Sequence, residues 1–195
     1  MERRTLLAAL GGTLPLALHA QAGKNEGSVM APVVLELYSD FQCPACKQLH
    51  ESTIRQLRDD LVRQAKVRIV HREFPLDMHK YAKPTAAIAC AAEKIGKYLP
   101  VADALFRDQQ KWADTGKYED SVKAVLAGPD FSKVMTLARD PKIIAEVEAD
   151  VARGKAVPVT GTPSLIMIVK GTPQPPVGPV SYPILRKYIE SVLNR

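Results

Sequence analysis

The pattern of apolar and polar positions predicts three buried strands and one irregular edge. Residues 33–38 and 164–169 are largely apolar runs, and residues 67–71 alternate apolar with polar side chains. Both patterns are typical of strands whose sheet is covered on at least one face. Residues 171–179 hold four prolines. Because proline lacks a backbone donor, we expect a turn or an irregular edge there rather than a central strand.

Helical periodicity accounts for most of the remaining chain. Apolar side chains recur at helical spacing over residues 47–64 and 182–193, and residues 81–155 are helical in composition. The order strand, helix, strand, helical block, strand, helix predicts an α/β fold. The helical block has no flexible linker at either end. We therefore interpret residues 81–155 as an insertion between two parts of one domain, residues 33–80 and 156–195.

The first 22 residues carry the three parts of a secretory signal peptide. Arg3 and Arg4 form a positive start, residues 6–18 are apolar and uncharged, and Ala20-Gln21-Ala22 is a small-x-small cleavage pattern. The apolar run is too short to span a bilayer, which needs about 20 residues. We therefore expect residues 1–22 to be removed on export. The arginine pair also faintly resembles a twin-arginine signal.

The composition sets limits on the partners and the compartment. The polar residues 23–32 predict a tether between the signal and the domain. The net charge is +6, but no block of Lys and Arg alternates with aromatic residues, which argues against nucleic acid as a partner. Export places the cysteines in an oxidising space where disulfides persist. If the host has an outer membrane, this space is the periplasm.

The motif Cys43-Pro44-Ala45-Cys46 stands where the first predicted strand gives way to a helix. At a helix N-terminus, unpaired N–H groups and the helix dipole lower the pKa of a cysteine, so Cys43 would be the nucleophilic thiolate. Pro44 suits the first helical turn, and Cys46 lies close enough to form a disulfide with Cys43. The pattern therefore predicts thiol–disulfide exchange through a mixed disulfide.

Three other uses of the cysteine pair compete with this interpretation. The first is an inert structural disulfide. The second is a zinc site, which would need a second Cys-x-x-Cys or a His-x-x-x-His that the chain lacks. The third is haem attachment, which would need a histidine where Lys47 stands. We expect no metal and no bound cofactor, because the cysteine pair would itself be the redox group.

Three segments together resemble the bacterial DsbA-like thiol–disulfide oxidoreductases. They are residues 38–47 around the cysteine pair, Phe74-Pro75-Leu76 followed by His79, and residues 159–164 before the last long strand. With the helical insertion, the resemblance covers about residues 31–194. It implies a thioredoxin-like fold with an inserted all-helical domain.

The resemblance also implies roles for the motif. Cys43 would exchange with the substrate and Cys46 would resolve the mixed disulfide, with Pro44 and Ala45 as supporting residues. The strongly oxidising members carry a histidine that can stabilise the thiolate where this chain has Ala45. We therefore expect a weaker oxidant.

A peptide-binding edge beside the motif is a further implication of the resemblance. Thr162–Pro163 would form a cis peptide bond packed against the cysteine pair. The loop would expose the Thr162 backbone to a substrate strand, which could pair with it through main-chain hydrogen bonds. Phe41 would frame the site as apolar packing or contact the peptide.

The acid that takes a proton from the resolving cysteine is not evident. Thioredoxin-like proteins often carry a buried acid six residues before the first active cysteine, where this chain has Leu37. Strand alternation points Glu36 to the other face of the sheet. Glu73 or water is therefore our candidate. His79 would either steer protons at the rim of the site or be a plain surface residue.

The third cysteine, Cys90, lies in an alanine-rich apolar helix. We interpret it as a small core residue. A thiol near the active site, a regulatory partner and an intermolecular disulfide are the alternatives.

These inferences predict an exported enzyme that exchanges a Cys43–Cys46 disulfide with protein cysteines, acting as an oxidase on reduced or unfolded exported proteins. The resemblance implies a membrane redox partner that resets the pair. One alternative is a disulfide reductase or isomerase of the same fold. Another is a non-catalytic peptide-binding or chaperone module with a structural disulfide.

Overall fold

Five strands form one sheet within residues 24–194, the part of the chain that the computed structural model describes. In chain order they are β1 (Asn25–Glu26), β2 (Val33–Ser39), β3 (Val67–Glu73), β4 (Ser164–Val169) and β5 (Thr172–Pro173). Their order across the sheet is β1-β3-β2-β4-β5. The central strand β2 is parallel to β3 and antiparallel to β4, so Leu35 lies between Ile69 and Met167.

The helices follow the predicted order. They are α1 (Pro44–Leu49), α2 (Arg55–Leu57), α3 (Ala82–Glu93), α4 (Tyr98–Arg107), α5 (Gln109–Trp112), α6 (Tyr118–Lys123), α7 (Gly128–Leu137), α8 (Pro141–Ala156) and α9 (Tyr182–Leu193). The π-helical segments His50–Ile54 and Arg58–Val62 continue α1 and α2 as one rod. Between residues 24 and 194, no helix combines the length and the apolar character needed to cross a membrane.

The two faces of the sheet pack against different helices. Leu35 and Leu37 belong to a core shared with the first helical rod and α9. On the opposite face, Tyr38 packs edge-to-face on Phe74 with ring centroids 6.2 Å apart. Helix α8 approaches this face so closely that a Cβ on Gly154 would lie 2.7 Å from the Phe74 ring. The absence of a side chain at this position therefore permits the close packing of α8 on the sheet.

The inserted helices have a core of their own, and this core reaches the cysteine motif. It surrounds the fully buried Trp112 and includes Phe41, Cys43 and Cys46. The thiols therefore lie at the junction between the insertion and the sheet.

The predicted order of strands and helices is confirmed, but one segment differs. The prediction of a tether over residues 23–32 is wrong at Asn25–Glu26, which pairs with β3 as an edge strand. Lys24 and Glu26 are buried, and each has an ionic partner. Lys24 pairs with Asp150, and Glu26 pairs with His71. The predicted signal in residues 1–22 lies outside the described residues.

Candidate active site

The strand-to-helix turn holds both cysteines of the motif. Cys43 is the N-cap of α1 with extended backbone angles (φ −76°, ψ 120°), and Pro44 occupies the first helical turn. The N–H of Cys46 donates to the Cys43 carbonyl over 3.1 Å. Both are free thiols, with 7% of Cys43 and 1% of Cys46 exposed. A reacting molecule would therefore reach Cys43 first.

The two thiols have opposite acidities. A hydrogen bond from the Cys46 thiol lowers the pKa of Cys43 to about 5, and backbone N–H groups of Cys46 and Ala45 add to this effect while burial opposes it. Burial, followed by the bond to Cys43, raises the pKa of Cys46 above its ordinary value. Near neutral pH the pair therefore combines a Cys43 thiolate with a Cys46 thiol that donates to it, which is the division of labour that disulfide exchange needs.

The loop before β4 lies against Cys43. The Thr162–Pro163 peptide bond is cis, as the resemblance implies. The Cys43 Sγ lies 3.5 Å from the Thr162 carbonyl oxygen. The Thr162 side chain is among the groups that lower the pKa of the Cys43 thiol. The structure thus brings Thr162 and Pro163 together with the cysteine pair.

Of the two roles that the sequence leaves open for Phe41, its position fits apolar packing. Only 3% of Phe41 is exposed, and its ring packs on Phe106 with centroids 4.8 Å apart. Its backbone carbonyl accepts from the side chain of Gln109. The side chain therefore packs into the core of the insertion, and a direct contact with a substrate peptide does not fit this position.

Asp40 is a buried neighbour of the pair that the sequence analysis missed. Its backbone N–H points to the Cys46 Sγ over 3.5 Å, and its carbonyl accepts from the Cys43 N–H over 3.1 Å. Its carboxylate accepts from the His79 Nδ1 over 2.7 Å. The position of this acid only three residues before the motif was the available signal. His79 therefore lies next to the site through Asp40, with 18% of its side chain exposed.

Glu73 is enclosed elsewhere and does not fit the role of proton acceptor for Cys46. It is 1% exposed and accepts a 2.7 Å hydrogen bond from the Tyr98 hydroxyl. Burial raises the pKa of Glu73 to about 7, while nearby Lys24 acts in the opposite direction. This carboxylate belongs to a buried polar cluster with Lys24 and Asp150.

Glu36 is also committed to partners away from the thiols, as strand alternation predicted. Its carboxylate binds the guanidinium groups of Arg72 and Arg153, each over 2.8 Å. The Tyr38 hydroxyl donates to it over 3.0 Å. These ionic partners offset the cost of burying the carboxylate.

Cys90 is fully buried in α3. The Lys24 Nζ lies 3.4 Å from its sulfur. Burial is the main cause that raises the pKa of the Cys90 thiol above its ordinary value. Its placement corresponds to a core residue. Between residues 24 and 194, no cluster of three or more His, Cys, Asp or Glu side chains could hold a metal ion.

Two glutamines join the cysteine turn to the insertion, and neither carried a signal in the sequence. The Gln109 amide donates to the carbonyls of Phe41 and Cys43 over 2.7 and 3.0 Å. The Gln42 amide donates to the Ala113 carbonyl and accepts from the Tyr81 N–H. Hydrogen bonds between these two side chains and backbone groups therefore hold the turn against the inserted helices.

Comparison with known proteins agrees with this architecture. A thioredoxin family model (Thioredoxin_4) matches residues 21–175. The α-DsbA1 crystal structure from Wolbachia pipientis has a TM-score of 0.75 and 18% identity, covering 93% of both chains. The predicted thioredoxin-like fold with a helical insertion is confirmed by this likeness.

Two curated relatives share sequence with this chain over only part of their own length. The Na(+)/H(+) antiporter NhaA 3 of Salinispora tropica is 30% identical over 84% of this chain, which spans only 24% of the antiporter. A probable disulfide bond formation protein D of Bacillus anthracis is 24% identical over 69% of this chain and 64% of its own length. The chain thus corresponds to about a quarter of the antiporter and to most of the second relative.

Proposed function

The chain belongs to the thioredoxin family matched above, and we propose that it is a thiol–disulfide oxidoreductase that uses Cys43 and Cys46 on protein substrates. The observation that carries the proposal is the opposed acidity of the two thiols, with the pKa of Cys43 lowered and that of Cys46 raised. The Thr162 carbonyl beside Cys43 supplies an edge on which a peptide could dock.

In the proposed direction the enzyme donates its disulfide. A substrate thiolate attacks the Cys43 Sγ, the Cys43–Cys46 bond breaks, and Cys46 leaves with the electron pair and takes up a proton. A second substrate thiolate then attacks the substrate sulfur of the mixed disulfide, and Cys43 leaves as a thiolate. The substrate loses two electrons and the cysteine pair gains them. A thiol of low pKa is the better leaving group, so the lowered pKa of Cys43 favours the second step, in which Cys43 leaves.

The setting of the reaction is part of the proposal. Residues 1–22 would direct export, and the mature chain would act on reduced or unfolded proteins in an oxidising space, the periplasm where an outer membrane exists. A membrane redox partner would reoxidise the pair. The domain boundaries proposed are residues 33–80 and 156–195 for the thioredoxin unit and residues 81–155 for the insertion.

The reduction potential tests the direction. Equilibration of the pair with glutathione buffers should give a value between roughly −270 mV, typical of thioredoxin, and roughly −120 mV, typical of the strongest oxidant of this kind. A value near the upper limit would contradict the weaker oxidant expected from Ala45. A value at or below the lower limit would favour the reductase alternative.

Exchange itself is tested with Cys43→Ala. The variant should lose all oxidation of a dithiol peptide while still binding that peptide. Met78→Ala changes a side chain that is 82% exposed and serves as the control. Peptide oxidation that survives in Cys43→Ala would contradict exchange through Cys43, and a parent that binds the peptide without oxidising it would support the non-catalytic binding module instead.

A further inference from the structure

The resolving cysteine must ionise to be a nucleophile, yet neither Glu36 nor Glu73 is placed to assist it. Glu36 is paired with arginines, and Glu73 is bonded to Tyr98. We propose that His79 and Asp40 form a positioning pair for Cys46, in which His79 holds Asp40 and Asp40 presents its backbone N–H to the Cys46 sulfur. This inference rests on the proposed function, because the Cys46 thiolate that leaves when the disulfide is donated is the same thiolate that attacks the Cys43 sulfur in the reverse step.

The Asp40 carboxylate is held from several directions. Its side chain has no exposed surface. One oxygen accepts from the Gln42 N–H over 2.7 Å, and the other accepts from the Leu76 N–H over 2.9 Å and from the His79 Nδ1 over 2.7 Å. Since both oxygens accept, we assign the shared proton to His79 Nδ1. His79 is the one side chain among these three donors.

The backbone of Asp40 contacts both cysteines. Its N–H lies 3.5 Å from the Cys46 Sγ, and its carbonyl accepts from the Cys43 N–H over 3.1 Å. The Ser39 side chain is a second donor to Cys46, and both donors lower the pKa of the Cys46 thiol against the effect of burial. A buried thiolate gains most from a donor already aimed at it, because little water is available to replace that donor. If the Asp40 carboxylate lost the bond from His79, the Asp40 N–H would be held less firmly against the Cys46 sulfur. The Cys46 thiolate would then be less stable.

The effect should fall on one step only. Cys43 has its own donors in the Cys46 thiol and in the helix N-terminus, so its first attack does not depend on this N–H. Cys46 has the raised pKa, and its attack therefore depends most on stabilisation of the charged form. A measurement that separates the two attacks distinguishes a positioning pair from a general loss of structure.

Stopped-flow reaction of the reduced, exported form of the chain with the disulfide DTNB separates them. The Cys43 thiolate attacks DTNB, forms a mixed disulfide and releases one thionitrobenzoate at a rate that depends on reagent concentration. The Cys46 thiolate, its proton lost to solvent, then attacks the Cys43 Sγ and releases the second thionitrobenzoate at a rate independent of concentration. All variants carry Cys90→Ala, which removes the third thiol.

His79→Ala should slow the second phase about tenfold and leave the first within twofold. His79→Asn can place an amide N–H where Nδ1 stands, and it should restore the second phase to within about threefold. His79→Leu keeps the bulk without a donor, and it replaces the alanine variant if that one does not fold. Met78→Ala, in the same loop, should change neither phase.

Three results would each overturn the positioning role of His79. The first is equal slowing of both phases, and the second is an unchanged second phase in His79→Ala and His79→Leu. The third is a His79→Asn variant whose second phase is as slow as that of His79→Leu. Release of only one thionitrobenzoate by the parent protein would bear on the proposed function and not on the role of His79. That outcome would contradict the proposed function itself, because Cys46 would then not resolve the mixed disulfide.

Discussion

The ammonium group of Lys24 and the carboxylate of Asp150 form a buried ion pair that ties the strand β1 region to helix α8 of the insertion. The same ammonium group lies 4.0 Å from Glu73. Lys24→Met would leave Glu73 without this cation and Asp150 with Arg72 as its remaining ionic partner. Because breaking a buried pair strands a buried charge, we expect the free energy of unfolding to fall by about 3–5 kcal/mol in urea denaturation.

The control for this prediction is an exposed ion pair. Lys83 contacts Asp77 on the surface with 70% of its side chain exposed, and Lys83→Met should leave the free energy of unfolding nearly unchanged. Similar losses in the two variants would show that the buried cluster has no special contribution.

The acidity of Cys43 predicts how stability depends on pH in the reduced protein. Its pKa falls from an ordinary value of 9.0 to about 5 on folding. Folding therefore favours the thiolate, and the resulting stability is complete above pH 9 and is lost as the pH falls through 5. The free energy of unfolding of the reduced chain minus that of Cys43→Ser should thus decrease from pH 9 to pH 5. Alkylation of Cys43 by iodoacetamide should show a midpoint near pH 5, and a midpoint near 9 would contradict the assignment.

Gly154 predicts a packing effect at the contact between α8 and the sheet. A Cβ there would lie 2.7 Å from the Phe74 ring and 3.0 Å from the Tyr38 ring. Gly154→Ala should therefore lower the free energy of unfolding by about 1–3 kcal/mol in spite of the better helix propensity of alanine. Gly128→Ala, whose Cβ would meet nothing within 4 Å, should not destabilise the chain. Thermal unfolding of the two variants makes the comparison.

The sequence was informative where a pattern is local. The central strand, the helical insertion and the cysteine turn follow from apolar runs, helical periodicity and the motif at residues 43–46. Strand β1 could not be predicted, because it consists of two residues beside charges whose partners lie far along the chain. Asp150 is 126 residues from Lys24.

The same limit applies to the surroundings of the thiols. His79 was a candidate from its place after Phe74-Pro75-Leu76, but its contact with Asp40 spans 39 residues and depends on how β2 and β3 end side by side. For Phe41 the sequence left apolar packing and contact with a peptide both open. The insertion supplies Phe106 to cover it, and no local pattern indicates that contact.

The contacts of Gln109 lead us to expect that the insertion positions the turn that carries Cys43. It is 3% exposed, and its amide donates to the carbonyls of Phe41 and Cys43. Gln109→Ala would remove both donors and leave the Phe41 carbonyl without this bond, at a cost of about 1–3 kcal/mol in the free energy of unfolding. The Cys43 carbonyl keeps the N–H groups of Cys46 and Lys47 over 3.1 and 3.2 Å, so helix α1 should persist.

The control is the next residue along the helix. Gln110 is exposed, and Gln110→Ala should change neither stability nor the rate at which Cys43 is alkylated. Gln109→Glu is a sharper variant than Gln109→Ala, because it sets a carboxylate against two carbonyl oxygens and should destabilise the chain further. If Gln109→Glu is as stable as the parent in urea denaturation, the insertion does not hold the turn through this side chain.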